Sequence, residues 1–169
     1  MSRKYLNDKY CVRCGRKTPT PYLKQNCKHF GEKGKGLVVD LGCGNGRNSQ
    51  FMKLRGHEVL SLDMVGDYGV EAEIGKQPLP VTRKANIILC NYLMMFLSKK
   101  ERQQLIRDIK RISAPDCTIM VELYPAKDSF AKTKDDMLVL QKEIFDALGW
   151  EKIRYSQGRF IAKNVESTL

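Results

Sequence analysis

The sequence predicts an α/β protein built on a doubly wound, mostly parallel sheet with a C-terminal antiparallel hairpin. Three observations carry that expectation. From Gly36 onward, apolar runs of strand length alternate with segments of helical periodicity, the pattern of strands joined by crossover helices. Residues 85–90 are near-continuously apolar, as in a strand covered on both faces. Near the end, Gln157-Gly158 separates two strand-like runs, 150–156 and 159–163, and so marks a hairpin.

The elements follow in order. Residues 37–41 form the first strand, and the glycine turn Gly42-Cys43-Gly44-Asn45-Gly46 comes straight after it. A helix runs over 47–54, with Phe51, Met52 and Leu54 as candidates for its buried face and Gly56 placed to cap it. Residues 58–62 are the second strand, ending at Asp63, and a short strand lies near 70–74. After the strand at 85–90, Ser98-Lys99-Lys100-Glu101 fits a capping box. Leu105, Ile106, Ile109 and Ile112 then recur at helical spacing, with Pro115 as the stop. Residues 117–123 form a further strand. A last helix starts at Thr133, buries Met137, Leu140, Ile144, Phe145 and Leu148, and ends at Gly149.

Charge divides the chain differently. The net charge is +11 over 169 residues, yet residues 1–35 hold ten Lys or Arg against Asp8 and Glu32, a net of +8. This sets a basic N-terminal segment, 1–34, apart from a domain over 35–169. Such an arm suits a polyanion such as nucleic acid, whose phosphates attract Lys and Arg regardless of sequence; a solvated tail is the alternative. No stretch approaches the ~20 apolar residues of a membrane span, and the basic start at Arg3-Lys4 leads into no apolar segment. A cytoplasmic location is expected, with no membrane partner.

Of the six cysteines, Cys43, Cys90 and Cys117 sit among apolar residues and read as small buried hydrophobes. Cys11, Cys14, Cys27 and His29 crowd into the basic arm. They are the ligand types that tetrahedral zinc prefers, and Zn2+ would supply folding energy that a short polar segment lacks. Free thiols are the other reading.

The glycine turn carries the chemistry. A chain that leaves a strand and at once starts a helix turns tightly, and the helix start offers amides to an anionic group. The dinucleotide fingerprint is G-x-G-x-x-G. Here the third glycine arrives one residue early and Arg47 takes the fingerprint position. The run Val38-Val39-Asp40-Leu41-Gly42-Cys43-Gly44-Asn45-Gly46 resembles motif I of the class I (Rossmann-like) S-adenosylmethionine-dependent methyltransferases, and the resemblance extends over about 36–164. It implies a methyltransferase that binds S-adenosylmethionine through Asp40, Gly42, Cys43, Gly44 and Gly46.

Further site residues follow. Asp63 lies 23 residues beyond Asp40 at the end of the second strand, where a carboxylate accepts both ribose hydroxyls; Met64 is its neighbour on the cofactor. By the resemblance, Glu73 contacts the adenine amino group and Ile74 covers the ring, with Asp67 as the competing acid. Asn91 and Tyr92 occupy the motif IV position, facing the methyl group and the acceptor. They are the catalytic candidates, and Asn91 also borders the cofactor. Asn91 could orient an amine and Tyr92 could position or stack on a ring. His57 sits away from the expected cleft.

Two departures from the family matter. Only 21 residues separate Asp63 from Ala85, so the helix after the second strand is expected to be missing. Motif IV lacks the proline pair of amino-group methylation on adenine or cytosine and keeps only the Asn. Three functions stay in competition. The first is an S-adenosylmethionine-dependent methyltransferase acting on RNA or DNA, with the arm as substrate handle. The second is a small-molecule methyltransferase, because residues 91–97 and the helix after them resemble tellurite-resistance and related small-substrate enzymes. The third is a non-catalytic binding or scaffold protein that keeps the cofactor fold.

Overall fold

The computed structural model describes residues 18–31, 36–65 and 67–165. Strands β1 (Leu37–Leu41), β2 (Glu58–Asp63), β3 (Val70–Glu71), β4 (Ala85–Asn91), β5 (Ser113–Glu122), β6 (Glu151–Ser156) and β7 (Arg159–Lys163) form one sheet in the order β3-β2-β1-β4-β5-β7-β6. The pairs from β3 to β5 are parallel. β7 inserts antiparallel between β5 and β6, so the second strand of the hairpin is the inner one. Helices are α1 (Pro21–Asn26), α2 (Arg47–Leu54), α3 (Lys99–Ile112) and α4 (Lys134–Leu148).

Side-chain alternation along the strands builds two cores. Leu37, Val39, Leu41, Ile88 and Cys90 pack with Leu105 and Ile109 of α3 and Met137 and Ile144 of α4. Val38, Ile87, Leu89, Met120 and Ile161 point to the other face, against Met52 of α2 and Tyr22, Leu23 and Phe30. Those last three residues fall in the segment expected to stand apart. Leu23 is fully buried, and the backbone N–H of Thr20 donates to Asn48 Oδ1 at 2.9 Å. Residues 20–30 therefore share the domain's core, and the expected division at 34/35 does not separate two cores among the described residues. The physical reason lies in the sequence itself: Thr20 caps and Pro21 opens a short helix that carries its apolar side chains to one face.

Local rules hold for the longer helices. The capping box at Ser98 and Glu101 forms, with both reciprocal hydrogen bonds. A second one forms at Thr133 and Asp136. Between Asp63 and Ala85 the described residues hold only β3 and an isolated bridge between Ile74 and Gln77, with no helix. One boundary differs from expectation. α3 ends at Ile112 and β5 begins at Ser113, ahead of Pro115. Pro115 and Asp116 ride on a bulge, where the register jumps from Ala85–Ser113 to Ile87–Thr118; a proline without an amide is tolerated at such a place. Among the described residues no helix is long and apolar enough to cross a membrane.

Candidate cofactor and acceptor site

Strand order reverses between β1 and β4, and a cleft opens at the carboxyl ends of these strands, where α/β sheets of this type bind ligands. One rim is the glycine turn. The amides of Gly42 and Cys43 both donate to Leu62 O, at 2.8 and 3.1 Å, folding the turn over the end of β2. Gly42 has φ +70°, and a Cβ there would meet Leu93 Cβ at 3.2 Å. A side chain at 42 would be both strained and crowded. Gly46, the N-cap of α2, presents the helix start to the cleft, where Arg47 and Asn48 stand.

The next rim residue is Asp63. It is buried, and its Oδ2 accepts the Gly44 amide at 2.9 Å while Oδ1 accepts the Val65 amide at 3.3 Å. The carboxylate therefore ties the glycine turn to β2 and keeps lone pairs for a diol. Met64, Ala72 and Ile74 continue the wall as an apolar surface, and Leu93, Phe96 and Leu97 face it. A nucleoside fits this donor set: glycine amides and a helix start for an anionic end, a carboxylate at ribose height, and an apolar slot for a ring.

The structure brings Gly42, Cys43, Gly44, Asp63, Met64, Ile74, Asn91 and Tyr92 together along this cleft. Three cofactor candidates fall elsewhere. Asp40 lies beneath the turn, almost fully buried, and accepts from Ser49 Oγ at 2.5 Å, with Ser61 Oγ donating on to Ser49 Oγ. Burial pushes its carboxyl up to about 6, so it braces β1 against α2 from inside. Gly46 acts as helix cap. Glu73 is exposed beside Gln77 and Lys76 and borders a separate depression with Pro78 and Leu79. It lies beyond the end of β3 with its side chain exposed, while its neighbour Ile74 is buried. Asp67 is also exposed and off the cleft wall.

At the acceptor end stand Asn91, the last residue of β4, and Tyr92. Tyr92 has φ +60°, a left-handed conformation that costs a non-glycine residue about 1 kcal/mol or more. Its ring meets Tyr124 edge-on at 5.2 Å. Behind both lies Glu122, the final residue of β5 and 1% exposed. Glu122 Oε1 accepts from Asn91 Nδ2 and from Thr20 Oγ1, each at 2.6 Å, and Oε2 accepts from the Tyr92 hydroxyl at 2.9 Å. Burial first, then Glu122, holds the Tyr92 phenol well above the usual tyrosine range.

Sequence reasoning missed Glu122, Thr20 and Asn48. The first left a signal, a lone acid ending the apolar run 117–121. Cys90 is fully buried, and burial raises its thiol far above the usual value, which removes it as a nucleophile. Of the proposed zinc ligands, Cys11 and Cys14 lie outside the described residues. Cys27 is half-buried against the second core and His29 sits on the same short turn. Among the described residues no group of three or more His, Cys, Asp or Glu could hold a metal.

This strand order, with a glycine turn after β1 and an acid ending β2, defines the class I S-adenosylmethionine-dependent methyltransferases. The family model of the tellurite resistance protein TehB matches residues 32–157, more than half of the chain. The chain belongs to the TehB family. Solved structures share the fold. TehB from Haemophilus influenzae aligns at TM-score 0.63 and 18% identity, over 95% of this chain and 63% of that one; the chain thus spans less than two thirds of that protein. An S-adenosylmethionine-dependent methyltransferase from Aquifex aeolicus aligns at 0.68 and 16%, over 98% and 100%. The 1,6-didemethyltoxoflavin-N1-methyltransferase from Burkholderia thailandensis, solved with 1,6-didemethyltoxoflavin and S-adenosylhomocysteine, aligns at 0.67 and 15%, over 87% and 78%. A comparison with curated proteins finds no match.

Proposed function

We propose that this chain is an S-adenosylmethionine-dependent methyltransferase whose acceptor is a small molecule. One observation carries the acceptor class. The chain at Thr20 bridges Asn48 on α2 and Glu122 on β5, so the segment entering α1 lies beside the acceptor candidates Asn91 and Tyr92, an arrangement that favours a small acceptor over a polymer. The ligand of the toxoflavin enzyme is of this kind.

In this reading Gly42, Cys43, Gly44, Asp63, Met64 and Ile74 hold the cofactor. S-adenosylmethionine, when bound, supplies a methyl group already activated on a sulfonium. The chain's own contribution is placement: Asn91 and Tyr92 fix the acceptor in line with that methyl, and such alignment is worth several kcal/mol of barrier. Asp40 supports the turn from below and Glu73 stays outside.

Calorimetry with S-adenosylhomocysteine tests the cofactor. Asp63→Ala, which removes the acceptor for the ribose and for the Gly44 amide, is expected to weaken binding at least about tenfold. No detectable binding by the wild type would sink the enzyme reading. For the acceptor, methyl-labelled cofactor is incubated with fractionated metabolites, RNA, DNA and protein. Label in metabolites is expected, and label in RNA or DNA alone would overturn the proposal.

The net +8 of residues 1–35 favours a second reading, in which the arm binds nucleic acid. Deleting residues 1–17, which leaves α1 in place, should then abolish a salt-sensitive RNA or DNA affinity. A zinc ion on Cys11, Cys14, Cys27 and His29 rests on residue type and spacing. Metal analysis of the purified protein, with one equivalent expected, checks it.

A further inference from the structure

The fourteen residues of α3 divide by charge as well as by hydropathy. The exposed positions are Lys99, Lys100, Gln103, Arg107, Lys110 and Arg111. At about 100° per residue they fall within roughly one third of the helix circumference, so five cations share one face with a single glutamine. Both acids of the helix are turned off that face. Glu101 closes the capping box with Ser98, and Asp108 is buried beside Gln104 and Arg111. On the flank towards α4, Glu143 is engaged by Arg102. On the other flank, where Gly75 lies against Glu101, Glu73 is engaged by Lys76. Lys84 extends the basic face at its C-terminal end, donating to Arg111 O at 2.6 Å. Among the described residues Lys99, Lys100, Arg107 and Lys110 have no acidic partner, and Arg107 donates to Gln104 Oε1 at 2.7 Å. The neighbouring helix α4 is built differently. There Lys142 pairs with Asp146 one turn on, and Asp135 and Asp136 stand in the first turn, where the helix dipole favours acids. α3 instead opens on Lys99 and Lys100, which the dipole disfavours, and sets Arg107 three and four residues from Lys110 and Arg111. No acid among the described residues offsets this repulsion on the exposed face, so its complement is a partner rich in negative charge.

We propose that the outer face of α3 is a docking surface for the phosphate backbone of a nucleic-acid duplex, which tethers the enzyme without serving as its methyl acceptor. From Lys99 to Arg111 the helix spans about 18 Å. Each strand of a duplex carries a phosphate about every 3.4 Å of axis, so four or five phosphates pass along that length. Lys and Arg heads on long stems meet phosphates without regard to base sequence. A lipid surface fits this face less well. Helices that lie in a bilayer surface bury large apolar side chains beside their cations, whereas none of the exposed large hydrophobics among the described residues lies on α3. The face is also separate from the cleft, whose own cation is Arg47, and from the basic N-terminal arm. Docking here therefore leaves the cofactor and acceptor contacts as they are, and the inference does not depend on the small-molecule reading.

The test uses the full chain and a fluorescently labelled DNA duplex of random sequence, titrated at several salt concentrations. Lys100→Gln, Arg107→Gln and Lys110→Gln, combined in one variant, remove charge from exposed positions of the face. That variant is expected to bind the duplex at least about tenfold more weakly near physiological salt and to lower the salt slope by about three. Lys53→Gln, Lys142→Gln and Lys152→Gln remove the same charge from exposed positions on α2, α4 and β6. This control should stay within about twofold of wild type, and both variants should hold S-adenosylhomocysteine as wild type does. Should the first variant not fold, the single substitutions decide, each expected to lower the slope by about one. A wild type that does not bind the duplex, or equal losses in both combined variants, overturns the proposal. So does a first variant that binds like wild type, the result if the N-terminal arm alone carried the affinity. Tighter binding to phosphatidylserine vesicles than to the duplex would point to a membrane instead, and methyl label appearing in the duplex would refute the tethering role.

Discussion

Asp40, next to last in β1, and Asp63, last in β2, have opposite tasks, and the difference is set by what surrounds each carboxyl. Asp63 collects backbone amides at the cleft rim. Asp40 is bound by Ser49 inside the domain, and burial raises its folded-state pKa from 3.8 to about 6. The folded protein therefore binds that proton more tightly than the unfolded chain. The resulting stabilisation is full below about 3.8 and is lost as pH rises through about 6. Two units correspond to roughly 3 kcal/mol. Asp40→Asn should remove this dependence: urea titrations between pH 4 and 7 are expected to give a flatter stability profile than wild type, with the variant the more stable at pH 7. At this scale the sequence was legible where a residue follows its strand, as for Asp63, Asn91 and Tyr92. It was silent where the partner comes from far along the chain. Thr20 meets Glu122 across 102 positions, and no local spacing encodes such a contact.

Among the elements, α1 is the one whose role the sequence concealed. Thr18-Pro19-Thr20-Pro21 reads as turn chemistry, and only six residues of helix follow. Yet Leu23 is fully buried against the sheet face shared with α2. No helix stands between β2 and β4 among the described residues, while α1 and the turn Cys27–Phe30 add cover to the second core. Leu23→Ala should cost about 3 kcal/mol, and chemical unfolding should remain one cooperative transition. A module folding apart from the sheet would instead leave the main transition unmoved. The strands and longer helices were legible because alternation and capping boxes are local signals. The bulge at Pro115 was not, since it depends on the register with β4.

For the whole molecule, the cleft and the fold are one thermodynamic unit. Its rim joins the ends of β1, β2 and β4 and the start of α2, so a ligand seated there ties together elements that unfolding must separate. S-adenosylhomocysteine at about 100 times its Kd should add ~2.7 kcal/mol to stability. For a chain of this size that raises Tm by roughly 5–10 °C. Thermal unfolding with and without the ligand checks this, and Asp63→Ala should forfeit most of the rise. The net charge of +11 will in addition make encounter with anionic ligands faster at low salt.

The bond between Thr20 and Glu122 also has a meaning in time. The segment around α1 must wait for strands synthesised much later: Asn26 is held by Arg154, 128 residues on, and Leu23 shares its core with Ile161. Closing so long a loop is entropically slow, and a chain leaving the ribosome can form β1 to β4 well before it can dock α1. The strands that carry the cofactor rim are thus synthesised early, while Thr20 can reach Glu122 only after β5 exists. The acceptor end of the proposed site is therefore the last part of the cleft to acquire its supports.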